Sequence, residues 1–176
     1  YAIHKAWRDI KAELDPKNLL CPARIIAPPP MDDTSLMRFP PSYQVIPIQT
    51  ALDWSAWNVQ NNPRTEETSA PGTGGDPALG WAKAVEMCNN NGHCRKFDAG
   101  TMCPSYRVTL DERDLTRGRA NTLRLALSGQ LTIEGAGGQK ALGLASSAVQ
   151  EALDLCVGCK GCKRECPTGI DMARMK

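Results

Sequence analysis

The sequence predicts an all-α fold in which a small helical module, residues 77–176, follows a long irregular tether. Three observations support this prediction. Two cysteine-rich loops each follow a stretch with helical periodicity, and there is little convincing strand. Ten of the thirteen prolines lie between Pro22 and Pro77, and such a composition does not hold long helices. We therefore expect three parts: residues 1–25, residues 26–76 and residues 77–176.

Residues 1–14 have the pattern of an amphipathic helix. Its apolar face consists of residues that recur at helical spacing, namely Ile3, Trp7, Ile10 and Leu14. Asp15 and Pro16 are expected to end the helix. The chain opens inside a helical pattern and stops just as another helix should start, at residues 171–176. We therefore expect an interior piece of a longer protein, in which an upstream domain covers this apolar face.

Residues 26–76 combine many prolines with a glycine-rich patch at residues 72–75, which is typical of an extended tether. Within this part, residues 43–48 have the pattern of a short edge strand. Three large apolar side chains are unlikely to stay in water, namely Leu52, Trp54 and Trp57. We expect them to pack against a neighbouring domain, and a binding role for the two tryptophans is the alternative.

Helical signals begin at Asp76. This residue can cap a helix, and Pro77 suits the first helical position, so residues 77–87 are predicted to form a helix that leads into the first cysteine loop. Residues 117–127 are predicted to form the next helix, and Gly129 stops it.

The stretch that follows is glycine-rich and is predicted to be a loop over residues 131–143. Ser147, with Gln150 three residues later, has the form of a capping box. It opens a helix that delivers Cys156, the start of the second cysteine loop.

The second cysteine loop has the spacing Cys-x2-Cys-x2-Cys-x3-Cys-Pro, which holds iron–sulfur clusters in bacterial ferredoxins. Its residues are Cys156, Cys159, Cys162, Cys166 and Pro167. Closely spaced thiolates on one tight loop can surround a cube of iron and sulfide, and Gly158 and Gly161 allow the backbone to turn. The fourth cysteine of such a run binds the other cluster in two-cluster proteins. A disulfide framework suits a secreted chain, which nothing here indicates, and paired zinc knuckles fit the spacing poorly.

The first cysteine loop is a partner motif with one ligand missing. Its residues match the first, third and fourth cysteines of the later run, and they are Cys88, Cys94 and Cys103, the last followed by Pro104. Asn91 stands where the later run has Cys159. Cys21 is isolated in the chain and is interpreted as a bystander.

Crossed pairing between the loops gives two ligand sets. The first has four thiolates for a 4Fe–4S cluster: Cys103, Cys156, Cys159 and Cys162. The second has three thiolates: Cys88, Cys94 and Cys166. Three thiolates suit a 3Fe–4S cluster, or a 4Fe–4S cluster with Asn91, His93 or water as a weak fourth ligand; otherwise the second site is vestigial. If the later run bound one cluster alone, Cys103 would be idle, and the adjacent Pro104 argues against this.

Cationic side chains crowd the cysteines, namely Arg95, Lys96, Lys160, Lys163 and Arg164. Arg117 and Arg119 flank Gly118 at a helix start, and we expect them to support the structure or the surroundings of a cluster. Cations and N–H groups near a cluster lower the cost of its negative charge and raise its potential, although a solvated surface explains the lysines equally well. The net charge of +2 is too small to indicate nucleic acid. No apolar run approaches the roughly 18 residues of a spanning helix, and no residue is a credible catalyst.

A family resemblance rests on residues that surround the cysteines: Cys103-Pro104-Ser105-Tyr106, Thr109, Glu112, Arg117-Gly118-Arg119-Ala120 and the later cysteine run. Residues 77–176 resemble the iron–sulfur segment of large FAD-linked oxidoreductases of the D-lactate, glycolate and D-2-hydroxyglutarate dehydrogenase type. Residues 1–25 are similar to the last helix of the flavin-oxidase domain of these proteins. Their turn, Leu20-Cys21-Pro22-Ala23-Arg24, departs at two places from the Leu-Asn-Pro-Gly-Lys of the family. The Cys-x5-Cys spacing also resembles the 3Fe–4S site of the succinate dehydrogenase iron–sulfur subunit.

The resemblance implies an α-helical ferredoxin module that follows a flavin domain in one polypeptide. FAD in that absent domain would oxidise a D-2-hydroxy acid, and the clusters would pass single electrons from the reduced flavin to a quinone or a redox protein. This piece alone would not catalyse the oxidation. The alternatives are a separate ferredoxin-like subunit of a flavoprotein or quinone-linked complex, and a zinc-held interaction module. We expect a cytoplasmic location, or one at the periphery of the inner membrane.

Overall fold

The structure is a computed structural model, and it describes residues 2–39, 42–58, 75–134 and 140–176. The chain divides into two compact units, residues 1–40 and residues 41–176. The described helices are α1 (Ala2–Leu14), α2 (Trp81–Glu86), α3 (Pro104–Thr109), α4 (Thr116–Leu127), α5 (Ser147–Asp154), α6 (Gly161–Glu165) and α7 (Met172–Met175). Single 3-10 turns lie at Ser55–Trp57, His93–Arg95, Glu112–Asp114 and Gly143–Ala145. The predicted all-α fold class is confirmed, and none of the described helices is long and apolar enough to cross a membrane.

One short hairpin accompanies the helices. Strand β1 (Thr132–Glu134) pairs antiparallel with strand β2 (Lys140–Leu142), and Ile133 lies opposite Ala141. The sequence analysis predicted a loop over residues 131–143, and this prediction is wrong for the six strand residues. Three residues per strand are too few for the alternation that identifies a strand in a sequence.

The first unit contains α1, which confirms the predicted N-terminal helix. Asp15 holds the chain after the helix, because its two carboxylate oxygens accept the N–H groups of Leu19 and Leu20, each at 2.9 Å. The ammonium of Lys11 and these N–H groups lower the pKa of Asp15 to about 2. Within this unit the predicted apolar face of α1 is exposed to solvent.

Helix α4 is the centre of the second unit and packs against both α2 and α5. Leu123 and Leu127 of α4 are fully buried, together with Leu115 at the start of the helix and Val85 of α2. The predicted bounds, residues 117–127, differ from the observed helix by one residue. Burial of these side chains is the main source of stability for the helices that carry the cysteines.

The helix predicted at residues 77–87 begins later, at Trp81, and its N-cap is Gly80 rather than Asp76. Asp76 instead holds the turn that precedes the helix. Its carboxylate accepts three backbone N–H groups, those of Ala78 at 2.8 Å, Gly80 at 3.1 Å and Lys83 at 3.0 Å. Residues 77–80 form a separate turn, and α2 starts at Trp81. One carboxylate therefore organises both the turn and the first turn of α2.

The cap of α5 lies one residue before its predicted position. The N-cap is Ser146, whose Oγ accepts the N–H of Val149 at 3.3 Å. The assignment of the cap to Ser147 is therefore wrong. Adjacent serines carry the same capping chemistry, so the sequence pattern could not distinguish them.

Part of the predicted tether packs on the helical module. Tyr43, Val45 and Trp54 are buried, and the N–H of Ile46 donates to the carbonyl of Leu127 at 2.8 Å. The guanidinium of Arg174 lies 4.6 Å from the centre of the Trp54 ring. Residues 42–58 thus belong to the second unit. Residues 43–48 form no strand, and residues 59–74 of the predicted tether lie outside the described residues.

Gly118 allows the first turn of α4 to lie against the preceding 3-10 turn. A Cβ at this position would be 2.0 Å from the carbonyl oxygen of Glu112, a backbone atom that cannot move aside cheaply. Gly118→Ala is therefore expected to lower the free energy of unfolding by about 1–3 kcal/mol in chemical denaturation. Gly75→Ala is the matched control, because a Cβ there meets no atom of the described residues within 4 Å. Equal losses in the two variants would contradict this account.

Candidate iron–sulfur centre

The four cysteines of the first predicted ligand set line one cavity. They are Cys103, Cys156, Cys159 and Cys162. Cys103 directly precedes α3, and the other three lie between the end of α5 and the first turn of α6. Thr116 and Arg119 of α4 line the same cavity. The fold therefore brings together side chains from both cysteine loops.

Left-handed backbone conformations shape both parts of this site. Gly158 and Lys160, on either side of Cys159, have φ angles of +64° and +59°. Cys103 has a φ of +50° and is followed by Pro104, the first residue of α3. This conformation costs a non-glycine residue roughly 1–2 kcal/mol, and such strain is often found at binding sites. The sequence predicted the turn at Gly158 but carries no signal for Lys160.

Backbone N–H groups at the starts of two helices donate to buried sulfurs. The N–H of Thr116, at the start of α4, lies 3.1 Å from Cys103 Sγ. The N–H groups of Met172 and Ala173, in the first turn of α7, donate to the sulfur of Cys162. The start of a helix carries partial positive charge, so these donors stabilise negative charge on sulfur.

Burial raises the pKa of the Cys103 and Cys162 thiols, and the same hydrogen bonds oppose that shift. Iron binds the thiolate form, so cluster binding would release these protons. Four thiolates are the usual ligands of a 4Fe–4S cluster, and hydrogen bonds to its sulfurs are a normal part of such sites. The residues around this cavity fit that cluster.

Cys88 and Cys94 of the second predicted set are both buried. Burial raises the pKa of the Cys94 thiol, and the nearby sulfurs of Cys103 and Cys88 raise this pKa further. The N–H of Arg117 donates to the Cys94 sulfur and lowers the pKa. Cys94 is therefore close enough to Cys88, of its own loop, and to Cys103, of the first ligand set, to interact with them electrostatically.

Cys166, the third member of this set, is half-buried, and its Sγ lies 3.2 Å from Thr168 Oγ1. Within the described ranges, no group of three or more His, Cys, Asp and Glu side chains is arranged to hold a single metal ion. The grouping of Cys166 with Cys88 and Cys94 stays a prediction.

Asparagine side chains hold the first cysteine loop in place. Asn91 Oδ1 accepts the N–H of His93 at 2.8 Å, and Asn90 Oδ1 accepts a hydrogen bond from the Asn121 amide at 2.9 Å. The amide oxygen of Asn91 thus has a backbone partner at the position where the later run has a cysteine.

Arg117 and Arg119 both lie close to cysteines, on different sides of α4. The Arg117 guanidinium makes two hydrogen bonds to Glu112, at 2.5 and 2.9 Å, and one of its nitrogens is 3.4 Å from the carbonyl oxygen of Asn90. Arg119 is buried and lines the cavity, where its positive charge lowers the pKa of Cys103 against the effect of burial. Their role toward a cofactor stays a prediction.

Glu165 connects the two cysteine loops, and the sequence analysis did not identify it. Its carboxylate accepts the N–H and the hydroxyl of Thr101, each at 2.8 Å, and the N–H of Met102 at 3.0 Å. These hydrogen bonds lower the pKa of Glu165. The residues lie next to Cys166 and Cys103 in the sequence, so this contact ties together the two Cys-Pro segments.

Comparison with known proteins agrees with this chemistry. Residues 84–170 match the family model of the 4Fe–4S dicluster domain, a range that contains all seven cysteines of the two ligand sets. No solved structure matches the chain significantly.

Three relatives share the name D-2-hydroxyglutarate dehydrogenase. The chain is 30% identical over 192 residues to the protein of Pantoea ananatis, an alignment that covers 94% of this chain and 16% of that protein. It is 26% identical over 196 residues to the protein of Escherichia coli K12, an alignment that covers 96% of this chain and 17% of that protein. It is 28% identical over 109 residues to the protein of Pseudomonas putida, an alignment that covers 48% of this chain and 11% of that protein. This chain therefore spans only a small part of the length of these relatives. It contains a 4Fe–4S dicluster domain at residues 84–170 and is homologous to a segment of D-2-hydroxyglutarate dehydrogenases.

Proposed function

We propose that this chain is the electron-transfer module of an FAD-dependent D-2-hydroxyacid dehydrogenase. The observation that carries the proposal is the single cavity lined by Cys103, Cys156, Cys159 and Cys162. Four thiolates suit a 4Fe–4S cluster, and the match to the dicluster family supports the same cofactor. Homology to D-2-hydroxyglutarate dehydrogenases supports the class of reaction.

An iron–sulfur cluster, when bound, accepts and releases single electrons. The residues of the chain would hold it, limit its contact with water and stabilise its negative charge. Cys103 and Cys162 are buried and receive backbone N–H donors, whereas Cys159 is exposed. The side of the site that carries Cys159 is therefore where an electron would enter or leave.

The second ligand set in this proposal is Cys88, Cys94 and Cys166, which would hold a 3Fe–4S cluster or a 4Fe–4S cluster with a weaker fourth ligand. The burial of Cys88 and Cys94 supports this, as does the Arg117 N–H that donates to Cys94. Cys94 lies near Cys103 of the first set. Two clusters held in this way would be close neighbours, as electron transfer between them requires.

The flavin would belong to another part of the same polypeptide. FAD in an upstream domain would take a hydride from a D-2-hydroxy acid, and this module would take electrons one at a time from the reduced flavin. A quinone or a redox protein would be the acceptor. The name shared by the relatives makes D-2-hydroxyglutarate the first substrate to test.

Iron, zinc and acid-labile sulfide in the anaerobically purified chain test the cofactor. Two 4Fe–4S clusters would give about eight irons per chain, a 4Fe–4S with a 3Fe–4S cluster about seven, and one 4Fe–4S cluster about four. EPR distinguishes these cases, because an oxidised 3Fe–4S cluster gives a signal before reduction and a 4Fe–4S cluster of this type gives one after reduction with dithionite. Zinc without iron would contradict the proposal and favour an interaction module.

The electron-transfer role is tested in a polypeptide that contains both this chain and the proposed flavin domain. D-2-hydroxyglutarate should bleach the flavin absorbance and then produce the EPR signals of the reduced clusters, with D-lactate and glycolate as comparison substrates. A flavin that is reduced by substrate while fully assembled clusters stay oxidised would contradict an electron-transfer role.

A further inference from the structure

In each cysteine loop, the cysteine that precedes proline has a threonine hydroxyl beside its sulfur. Thr116 Oγ1 lies 3.0 Å from Cys103 Sγ, and Thr168 Oγ1 lies 3.2 Å from Cys166 Sγ. Thr116 comes from the start of α4, whereas Thr168 follows its cysteine by two residues. The two loops therefore reach the same contact from different positions in the sequence.

Iron binding determines the direction of these hydrogen bonds. In a free thiol, either the sulfur or the hydroxyl oxygen can donate. A cysteine bound to iron is a thiolate without a proton, so the threonine hydroxyl must donate to it. Hydrogen bonds to a charged acceptor are stronger than neutral ones, and a dry environment strengthens them further. Thr116 and Cys103 are only 2% and 5% exposed, so their contact meets both conditions.

Reduction adds an electron to a cluster and so increases the negative charge on its sulfurs. A donor to a ligand sulfur stabilises the reduced cluster more than the oxidised one, and therefore raises the reduction potential. The sulfur of Cys103 also accepts the backbone N–H of Thr116, at 3.1 Å, and replacement of the Thr116 side chain leaves this donor in place. The hydroxyl is the part of this pair that a substitution can test.

We propose that Thr116 and Thr168 are positioning residues that each raise the reduction potential of one cluster, Thr116 through Cys103 and Thr168 through Cys166. This inference rests on the proposed function. Thr116 has the larger effect, because it is buried, whereas Thr168 and Cys166 are half-buried and their contact is 0.2 Å longer. The assignment of the two threonines to different clusters follows from the crossed ligand sets.

Thr116→Val tests the first contact, because valine keeps the shape of threonine and the backbone N–H but removes the hydroxyl. In an EPR-monitored titration with dithionite and redox mediators, one cluster should become harder to reduce. The expected change is about tenfold in the ratio of reduced to oxidised cluster at a fixed potential, which is 59 mV for a one-electron couple. Thr116→Ser retains the hydroxyl and should restore the potential of the unmodified chain.

Thr168→Val is the reciprocal variant. It should lower the potential of the other cluster by a smaller amount and leave the cluster affected by Thr116→Val unchanged. In a chain that holds only the cluster on Cys103, Thr168→Val should leave its potential unchanged, while Thr116→Val still lowers it. Thr116→Ala, which also lacks the hydroxyl, replaces the valine variant if valine prevents cluster assembly.

Three results would overturn the inference. The first is an unchanged reduction potential in Thr116→Val. The second is a shift in Thr116→Ser as large as the shift in Thr116→Val. The third is a shift in the potential of the same cluster by both Thr116→Val and Thr168→Val. Each of these requires assembled clusters and would leave the proposed function intact. A chain that binds no iron would instead remove the proposed function, and this inference with it.

Discussion

Replacement of Cys103 or Cys162 by serine is expected to remove the same cluster, with a loss of about four irons per chain. The two residues come from different cysteine loops, but their thiols line one cavity and each receives a backbone N–H from a helix start. A serine oxygen is a poorer ligand for iron than a thiolate. Iron analysis and EPR of the reduced chain measure the loss, and both variants should abolish the same EPR signal.

The complementary variants, Cys94→Ser and Cys166→Ser, should leave that signal in place and remove the other one. Cys21→Ser is the matched control, because Cys21 is exposed and belongs to neither ligand set, and it should leave iron content and EPR unchanged. If Cys103→Ser and Cys94→Ser abolished the same signal, each loop would hold its own cluster. The crossed sets would then be wrong.

The candidate cysteine ligands can be proposed from the sequence because their spacing is a local property of the chain. Cys-x2-Cys-x2-Cys identifies a tight loop without knowledge of the fold, and the internal repeat then points to Cys103. Glu165 and Thr116 could not be predicted in the same way. Glu165 contacts residues 63 and 64 positions away, and Thr116 contacts a sulfur 13 positions away. Only tertiary packing brings these groups together.

The fold shows the same division between local and distant causes. Helical periodicity predicted α1 and α4 within one residue at either end, because apolar residues recur at helical spacing in both helices. Proline content predicted an extended tether, with Trp54 packed against a neighbouring domain. Residues 42–58 instead belong to the second unit, and Trp54 is buried there. Proline limits helix formation and says nothing about whether an extended segment is packed. Composition alone therefore underestimates the size of the second unit.

Arg119→Met is expected to lower the free energy of unfolding of the iron-free chain by about 3–5 kcal/mol, as measured by chemical denaturation. Arg119 Nε donates to the carbonyl of Ala152 at 2.7 Å, and one terminal nitrogen donates to Ser105 Oγ at 2.9 Å. The same nitrogen lies 3.9 Å from a carboxylate oxygen of Asp114, and both side chains of this ion pair are at most 3% exposed. Removal of the arginine would leave the Asp114 carboxylate buried without its counter-charge.

Asp114→Asn in the Arg119→Met background distinguishes the buried charge from lost packing. The amide keeps an oxygen for the Thr109 hydroxyl, which lies 2.7 Å from Asp114 Oδ2, but carries no charge. The double variant should therefore recover part of the stability. Arg113→Met is the control for an exposed pair, since Arg113 and Glu151 are both more than half exposed, and it should cost about 0–1 kcal/mol. If Arg119→Met cost no more than Arg113→Met, Arg119 would contribute little to holding α3 and α5 against α4. Any effect of Arg119 on a bound cluster would then be electrostatic rather than structural.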